Sequence, residues 1–198
     1  MKARDRLVTS AIDLIRRNGV AGTGLSLLLE LSGTARRSLY LNFPGGKAEL
    51  VADATLAAGR YTGDAIDHLA ATLGPVPAVR AFVAAWRDTL TDSAFLSGCP
   101  IVAAALGRSE ADVAADNAGA VFLDWQRRLA AHLEAADVSA EDAARLASVT
   151  VSAVEGAIVV CQATKSAEPL QHVEDALIEL YELKVAATGP ESGSDPAP

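Results

Sequence analysis

Cysteine, histidine and aromatic residues are all scarce in this sequence of 198 residues. The two cysteines, Cys99 and Cys161, are too few for a disulfide scaffold or a four-ligand zinc site. None of the three histidines stands at metal-ligand spacing from Cys, Asp or Glu, and no phosphate-binding glycine loop is found. The sequence therefore predicts no metal, no cofactor and no catalytic residue, and we expect a protein that is not an enzyme.

A secretory signal is also missing, so we expect the chain to stay in the cytoplasm. The mean hydropathy of +0.24 makes a membrane span worth testing. The best candidate, residues 146–164, carries Glu155 at its centre, and an acid at that depth of a bilayer costs about 2–4 kcal/mol. We interpret this segment as a helix buried between other helices and expect no membrane partner.

Charge is distributed unevenly along the chain. The formal net charge is −8, which alone argues against a nucleic-acid ligand. Residues 1–50, however, carry eight basic and four acidic side chains, while the remainder carries nine basic and 21 acidic ones. Such asymmetry points to a nucleic-acid or membrane contact at the basic end, although a solvated basic face is the alternative.

The first fifty residues carry the pattern of three helices. Apolar positions recur at helical spacing from Ala3 to Asn18, and Gly19 follows as a stop. Thr23 and Ser26 offer N-cap chemistry for a short leucine-rich second helix. A third helix over 35–42 ends at Phe-Pro-Gly-Gly. Two short helices joined by a tight glycine-containing turn, the second of them basic, form a helix-turn-helix.

The predicted third helix has two faces. Leu39 and Phe43 lie four residues apart and are expected to face inward. In the major groove of B-DNA, arginine binds guanine O6 and N7 and asparagine pairs with adenine, while a tyrosine hydroxyl can bind phosphate. The side chains that the pattern leaves facing outward or at the margin include Arg36, Arg37, Ser38, Tyr40 and Asn42.

A set of spaced residues in this region forms a family signature: Ala11, Leu14, Ile15, Gly19, Thr23, Ser38, Leu39, Tyr40, Phe43, Lys47 and Leu50. The pattern resembles the DNA-binding domain of TetR-type transcriptional repressors. The stretch SLYLNFPGGKAEL, residues 38–50, is similar to the LmrA/YxaF branch of that family, and Gly98-Cys99-Pro100 is similar more loosely.

The resemblance implies a ligand-responsive repressor that leaves a palindromic DNA operator when a small molecule binds. The DNA contacts that it implies are Thr23, Tyr40 and Lys47 to phosphates, and Arg36, Arg37, Ser38 and Asn42 along the recognition helix. The family commonly has glycine at the position of Arg37 and often histidine at Leu41 and Asn42. The operator sequence therefore cannot be inherited from relatives.

Beyond residue 50 the sequence stays helical. Its breaks predict helices over 48–72, 77–93, 100–107, 110–136, 140–164 and 167–187. We expect an all-α protein with a DNA-binding domain over 1–50 and an effector-binding and dimerisation domain over 51–187. Residues 188–198 have the composition of a flexible tail.

The last two predicted helices are typical of an association surface. The first carries small residues at spacings of three and four, and the second carries an apolar stripe. An inverted-repeat operator needs two recognition helices about one DNA turn apart, which favours a homodimer. Packing within one subunit is the alternative. The predicted interface residues are Ser152, Gly156, Val173, Leu177, Leu180 and Tyr181.

Most of the aromatic residues of the larger domain lie in its middle helices. An ordinary core is one interpretation, and an effector pocket with aromatic walls is the other. The family resemblance favours the pocket and with it a largely apolar effector. The candidate pocket residues are Phe82, Trp86, Phe95, Phe122, Trp125, Gln126 and Glu155.

Two rival functions remain open. Cys99 precedes Pro100 at a predicted helix start, where a lowered thiol pKa would suit a redox sensor or a small helical enzyme. A small buried residue is the alternative there. The basic end could instead bind an acidic protein, and salt-dependent binding to a palindromic duplex would separate the two.

Overall fold

The computed structural model describes residues 1–186, which form α-helices and no strand. This confirms the predicted all-α fold. Position 187 and the predicted flexible tail, 188–198, lie outside the described residues. The described helices are α1 (Ala3–Gly22), α2 (Leu25–Ser32), α3 (Arg36–Asn42), α4 (Gly46–Leu73), α5 (Pro75–Asp92), α6 (Pro100–Leu106), α7 (Asp112–Glu134), α8 (Ala140–Thr164) and α9 (Glu168–Ala186).

Two glycines shape the first three helices. Gly19 has a φ of 69° and interrupts α1, so the predicted stop is a kink after which the helix continues to Gly22. Gly33 ends α2 in the left-handed conformation, with a φ of 57° and a ψ of 36°. A residue with a Cβ is strained in that conformation, which explains glycine in the turn between α2 and α3.

The predicted side-chain cap of α2 is wrong. The N-cap is Gly24, and neither Thr23 nor Ser26 caps the helix. Thr23 is instead 1% exposed, and its hydroxyl donates to the carbonyl oxygen of Gly19 at 2.7 Å. The hydroxyl therefore stabilises the end of α1.

The helices enclose two apolar cores. One core joins α1–α3 to α4, α6 and α7, so it crosses the predicted domain boundary at residue 50. The other lies between α5, α7, α8 and α9. The largest fully buried side chains of the two cores are Leu7, Ile15, Leu28, Leu39, Phe43, Leu50 and Ile101 in the first, and Leu90, Leu133, Ile158, Leu170 and Tyr181 in the second.

Helix α4 connects the N-terminal three-helix unit to the rest of the chain and packs along α7. A side chain at Gly59 would overlap Val121, so glycine permits the close approach of these helices. The indole Nε1 of Trp125 donates to the carbonyl oxygen of Gly59 at 2.9 Å. This buried hydrogen bond fixes the position of α7 along α4.

A second connection joins α1 to the segment before α6. The Gly98 N–H donates to the Arg16 carbonyl oxygen at 3.0 Å, and Arg16 Nε donates back to the Gly98 carbonyl oxygen at 3.1 Å. The Arg16 guanidinium also lies over the Trp86 ring, 5.7 Å from its centroid. These contacts tie the segment before α6 directly to α1.

Helix α8 is the one described helix that is long and apolar enough to cross a membrane, with a mean hydropathy of 1.6 over its best window. It packs against α5, α7 and α9 and buries residues such as Val154, Ile158 and Cys161 in the second core. This placement agrees with its interpretation as a helix packed among other helices.

Candidate nucleic-acid interface and internal cavity

The third helix is held firmly against the first core. Leu39 and Phe43 are fully buried, as their spacing predicts. The Ser32 hydroxyl lies 2.7 Å from the Thr34 hydroxyl, and Arg6 Nε donates to the Ser32 carbonyl oxygen at 2.9 Å. The turn between α2 and α3 is thus tied to α1, and the outer face of α3 has a defined orientation.

The outer face of α3 presents two arginines. Arg36 and Arg37 are exposed, and neither forms a hydrogen bond or ion pair within residues 1–186. Tyr40 is 46% exposed and lies beside the start of α4. Free guanidinium groups on an exposed helix face can bind base edges or phosphates without first breaking internal bonds.

Ser38 and Asn42 are half-buried and lie closer to the body of the protein. Asn42 Nδ2 donates to the Ser38 carbonyl oxygen at 2.7 Å, one turn earlier in α3. One amide hydrogen of Asn42 is therefore used within the helix, and the second amide hydrogen and the Oδ1 are left for a contact to adenine.

Thr23 is buried and its hydroxyl donates to the Gly19 carbonyl oxygen, so its side chain presents no free donor to a phosphate, and the implied phosphate contact of this residue stays a prediction. Lys47 is half-buried, and its Nζ donates to the Val20 carbonyl oxygen at 2.9 Å. The ammonium thereby joins the start of α4 to the end of α1. Two of its three donors are left for a phosphate.

Leu41 is a surface residue of α3 that the sequence pattern also leaves facing outward, although it is not among the predicted DNA contacts. It is 72% exposed on the face that carries the two arginines. An exposed leucine there can contact the methyl group of thymine, as apolar side chains do in the major groove. The signal was present in the sequence, since position 41 lies off the inward spacing of Leu39 and Phe43.

An apolar cavity of about 50 Å³ lies between α4, α5, α7, α8 and α9. Three of the predicted pocket residues line it, namely Phe82, Trp125 and Glu155. The other lining residues are Ile66, Leu69, Ala70, Pro75, Ala78, Val79, Val83, Leu129, His132, Leu133, Thr150, Val151, Val154 and Tyr181.

Four predicted pocket residues do not line the cavity. Trp86 packs between the two cores under the Arg16 guanidinium. Phe95 follows α5 in a left-handed conformation and packs against the second core. Phe122 packs edge-on against Trp125 at 5.6 Å, and Gln126 is half-buried elsewhere on α7. The sequence pattern predicted which helix or loop carries each of these residues, but not the direction in which its side chain points.

Glu155 is a residue of the cavity wall with one carboxyl oxygen that lacks a hydrogen-bond partner within the described residues. Its Oε2 is fully buried and accepts no hydrogen bond within the described part of the chain. Burial raises the pKa of Glu155 to about 7, against a smaller lowering by a hydrogen bond from the Cys99 thiol. A carboxyl group with a free oxygen is thus held inside an apolar wall.

The predicted chemistry of Cys99 is not supported. Cys99 is 5% exposed, and burial together with the Glu155 carboxyl raises the pKa of its thiol. A redox-active or nucleophilic cysteine needs the opposite, an accessible thiol with a lowered pKa. Cys161 is fully buried, and residues 1–186 contain no cluster of potential metal ligands.

Helices α8 and α9 share an exposed surface. Of the predicted interface residues, Ser152, Gly156 and Leu180 are exposed and Val173 is half-buried. Leu177 and Tyr181 are 2% and 1% exposed, so their prediction as interface residues is wrong because they fill the core of their own subunit. Apolar residues that the prediction missed on this surface are Val149, Val159, Val160 and Leu183.

Comparisons with known proteins agree with this architecture. Residues 75–176 match the family model of the C-terminal domain of LmrA/YxaF-like transcriptional regulators. An uncharacterised HTH-type transcriptional regulator of Mycobacterium tuberculosis (strain H37Rv) is 32% identical over 184 residues, which cover 89% of this chain and 93% of that protein.

Solved structures share the fold. The regulatory protein TetR from Rhodobacter sphaeroides matches with a TM-score of 0.81 and 21% identity, over 90% of this chain and 98% of that one. A CifR cysteine mutant, solved in complex with a 26-base-pair operator duplex, matches with a TM-score of 0.67 and 24% identity, over 89% and 95% of the two chains.

Proposed function

Because the chain belongs to the TetR family of helix-turn-helix transcriptional regulators, in its LmrA/YxaF-like branch, we propose that it is a repressor that leaves a palindromic operator when a small molecule occupies its cavity. The observation that carries the proposal is the pair of free, exposed arginines, Arg36 and Arg37, on a helix whose other face is anchored by Leu39 and Phe43.

The residues of α3 and α4 divide between two kinds of contact. Arg36 and Arg37 lie at the N-terminal end of α3, the part of a recognition helix that contacts base edges. Tyr40 and Lys47 lie where α3 meets α4 and serve the phosphate backbone. Ser38 and Asn42 support α3 and contact DNA at the margin of the groove.

A homodimer would place two copies of α3 about one DNA turn apart, roughly 34 Å. The exposed surface of α8 and α9 supports this assembly, because Val159, Val160 and Leu183 leave apolar area open to solvent. Ser152 and Gly156 let a partner helix approach closely. CifR, solved with operator DNA, is consistent with the same mode of binding for this chain.

Release would follow from expansion of the cavity. Pockets for small molecules commonly have volumes of about 300–1000 Å³, well above the cavity of about 50 Å³ found in this chain. An effector must therefore move the walls, one of which is formed by Ile66 and Leu69 of α4. Since α4 begins beside α3 and is tied to α1 through Lys47, its movement changes the spacing of the recognition helices. Such coupling is typically worth about 1–3 kcal/mol.

Selection of bound fragments from random duplex DNA tests the proposal. We expect an inverted repeat whose half-sites are centred about 10 base pairs apart, and an affinity that falls steeply with salt concentration. Enrichment of no sequence, or of a single half-site without symmetry, would contradict the proposed operator. Fluorescence anisotropy with the selected duplex then measures affinity for all variants below.

A further inference from the structure

We propose that the ligand of the cavity is an apolar molecule with one protonated amine, and that Glu155 recognises this amine. The inference rests on the proposed function, because it names the chemical class of the effector. Its starting point is Glu155, a residue of the cavity wall whose buried Oε2 has no hydrogen-bond partner within the described residues.

The other polar side chains of the cavity wall already have partners. His132 Nε2 lies 2.9 Å from Asp67 Oδ1. The Thr150 hydroxyl donates to the Leu146 carbonyl oxygen at 2.7 Å and lies 2.9 Å from the Tyr181 hydroxyl. Among the described residues of the wall, Glu155 is the one with a fully buried oxygen that has no hydrogen-bond partner, and in the ionised carboxylate that oxygen is an acceptor.

The charges of the cavity wall indicate which kind of ligand suits the carboxyl group of Glu155. Among the described residues no lysine or arginine lines the cavity, and the imidazole of its one lining histidine, His132, is paired with Asp67. The wall therefore offers a cationic ligand the carboxyl group of Glu155 and an anionic ligand no unpaired cation. The rings of Phe82 and Trp125 also line the cavity, and aromatic faces attract cations. The carboxyl pKa of about 7 is the value of a group that ionises readily once a cation arrives.

The apolar residues of the wall determine which chemistry suits the part of the ligand beyond the amine. Side chains such as Ile66, Leu69, Val79 and Val154 provide no hydrogen bonds and favour a hydrocarbon or aromatic body. A buried charge-assisted hydrogen bond contributes about 1.5–3 kcal/mol, which corresponds to roughly ten- to a hundredfold in affinity. We therefore expect the amine to outbind an uncharged molecule of the same shape by at least about tenfold.

Three probes with one apolar body test this expectation: 4-phenylbutylamine, the neutral 4-phenylbutan-1-ol and the anionic 5-phenylpentanoate. Isothermal titration calorimetry on the full chain should rank the amine first and the carboxylate last. In Glu155→Gln, which keeps the size of the side chain, the preference for the amine over the alcohol should fall below about threefold. Glu134→Gln removes an exposed acid from the end of α7 and should keep the full preference.

The outcomes separate this inference from the proposed function. Equal affinity for amine and alcohol, no amine binding at millimolar concentration, or an undiminished preference in Glu155→Gln would each overturn the role of Glu155. Binding of the wild-type chain to its selected duplex would still support a DNA-binding regulator in those cases. Amine binding that depends on Glu155 but leaves the duplex affinity unchanged would instead contradict release by this cavity.

Discussion

Basic side chains play different parts at the two ends of this molecule. In the C-terminal part, Arg87 contacts the buried Glu174, Arg128 contacts Asp124 and Asp67, and other cations form similar pairs. In α3, Arg36 and Arg37 have no such partner among the described residues. The first group holds helices together, whereas the second is left for a ligand.

The same contrast exists within the basic N-terminal segment itself. Arg4 pairs with Asp53, Arg17 with Asp13, and the Lys47 ammonium bonds a backbone carbonyl. Net charge alone therefore does not distinguish the basic side chains that hold the fold together from those that remain open to a ligand. Within α3, both arginines lack an internal hydrogen bond or ion pair among the described residues.

The largest effect is expected from a change that separates the subunits. Gly156→Arg places a long cation on the exposed surface of α8, where an added Cβ meets no other atom, so the subunit should fold normally. Sedimentation should show a monomer, and operator affinity should fall by about a hundredfold or more because avidity is lost.

Gly119→Arg is the matched control for this change. Gly119 is also an exposed helical glycine whose added Cβ meets no atom, but it lies on α7. We expect this variant to stay dimeric and to bind its operator. Dimers of Gly156→Arg, or monomers of both variants, would show that the α8 and α9 surface is not the interface.

Glu155 should make stability depend on pH. Its pKa is about 7 in the folded chain against an ordinary value of 4.5, so the folded state keeps a proton that the unfolded state releases between these values. The free energy of unfolding therefore falls as pH rises through this window, by up to about 3 kcal/mol. Urea denaturation from pH 5 to 8 should show this loss in the wild type and not in Glu155→Gln. Parallel profiles for the two proteins would contradict the assignment.

Removal of one free arginine should weaken DNA binding with little change in stability. Arg36→Ala is expected to cost about 1–3 kcal/mol of operator affinity and to relax base preference at one position of each half-site. Arg127→Ala, which removes an exposed arginine paired with Asp124 on α7, is the control and should bind normally. Equal losses in both variants would indicate that net charge, rather than position, controls binding.

Arg16 sharpens the comparison because it is a basic residue of the N-terminal part that serves the fold. Arg16→Met should lower the free energy of unfolding by about 1–2 kcal/mol, since it removes the bond to Gly98 and the contact with Trp86. Thermal unfolding measures this loss. An unchanged free energy of unfolding would show that the contacts of Arg16 with Gly98 and Trp86 do not stabilise the fold.

The smallest effect is expected at the phosphate positions. Tyr40→Phe should reduce affinity by about 1 kcal/mol or less, evenly for cognate and scrambled duplexes, because a phosphate contact carries no base information. Anisotropy titrations with both duplexes compare the two losses. A change in base preference would instead place the Tyr40 hydroxyl in the groove.

Local pattern was enough to predict the helices and the inner face of α3. Leu39 and Phe43 are buried because residues four apart share one side of a helix, and Gly33 ends α2 because the turn needs its left-handed conformation. These outcomes depend on short-range geometry, which the sequence expresses directly.

The direction of side chains in the larger domain depends on which helices meet. Leu177 and Tyr181 share an apolar stripe with Leu180, yet the first two fill the core and the third is exposed. Trp86 was predicted to line a pocket, but the distant Arg16 gives it a different neighbour. Composition and spacing contain no information on such long-range contacts.

The single carboxyl group within residues 146–164 has a consequence for how the newly made chain is handled in the cell. Glu155 is the only charged residue in that stretch of α8, and a leucine in its place would leave nineteen consecutive uncharged residues, the length of a bilayer-spanning helix. The insertion machinery reads such segments by their hydrophobicity, and one central acid shifts the balance against entry into lipid. The charge at position 155 therefore lowers the tendency of α8 to enter a membrane during synthesis.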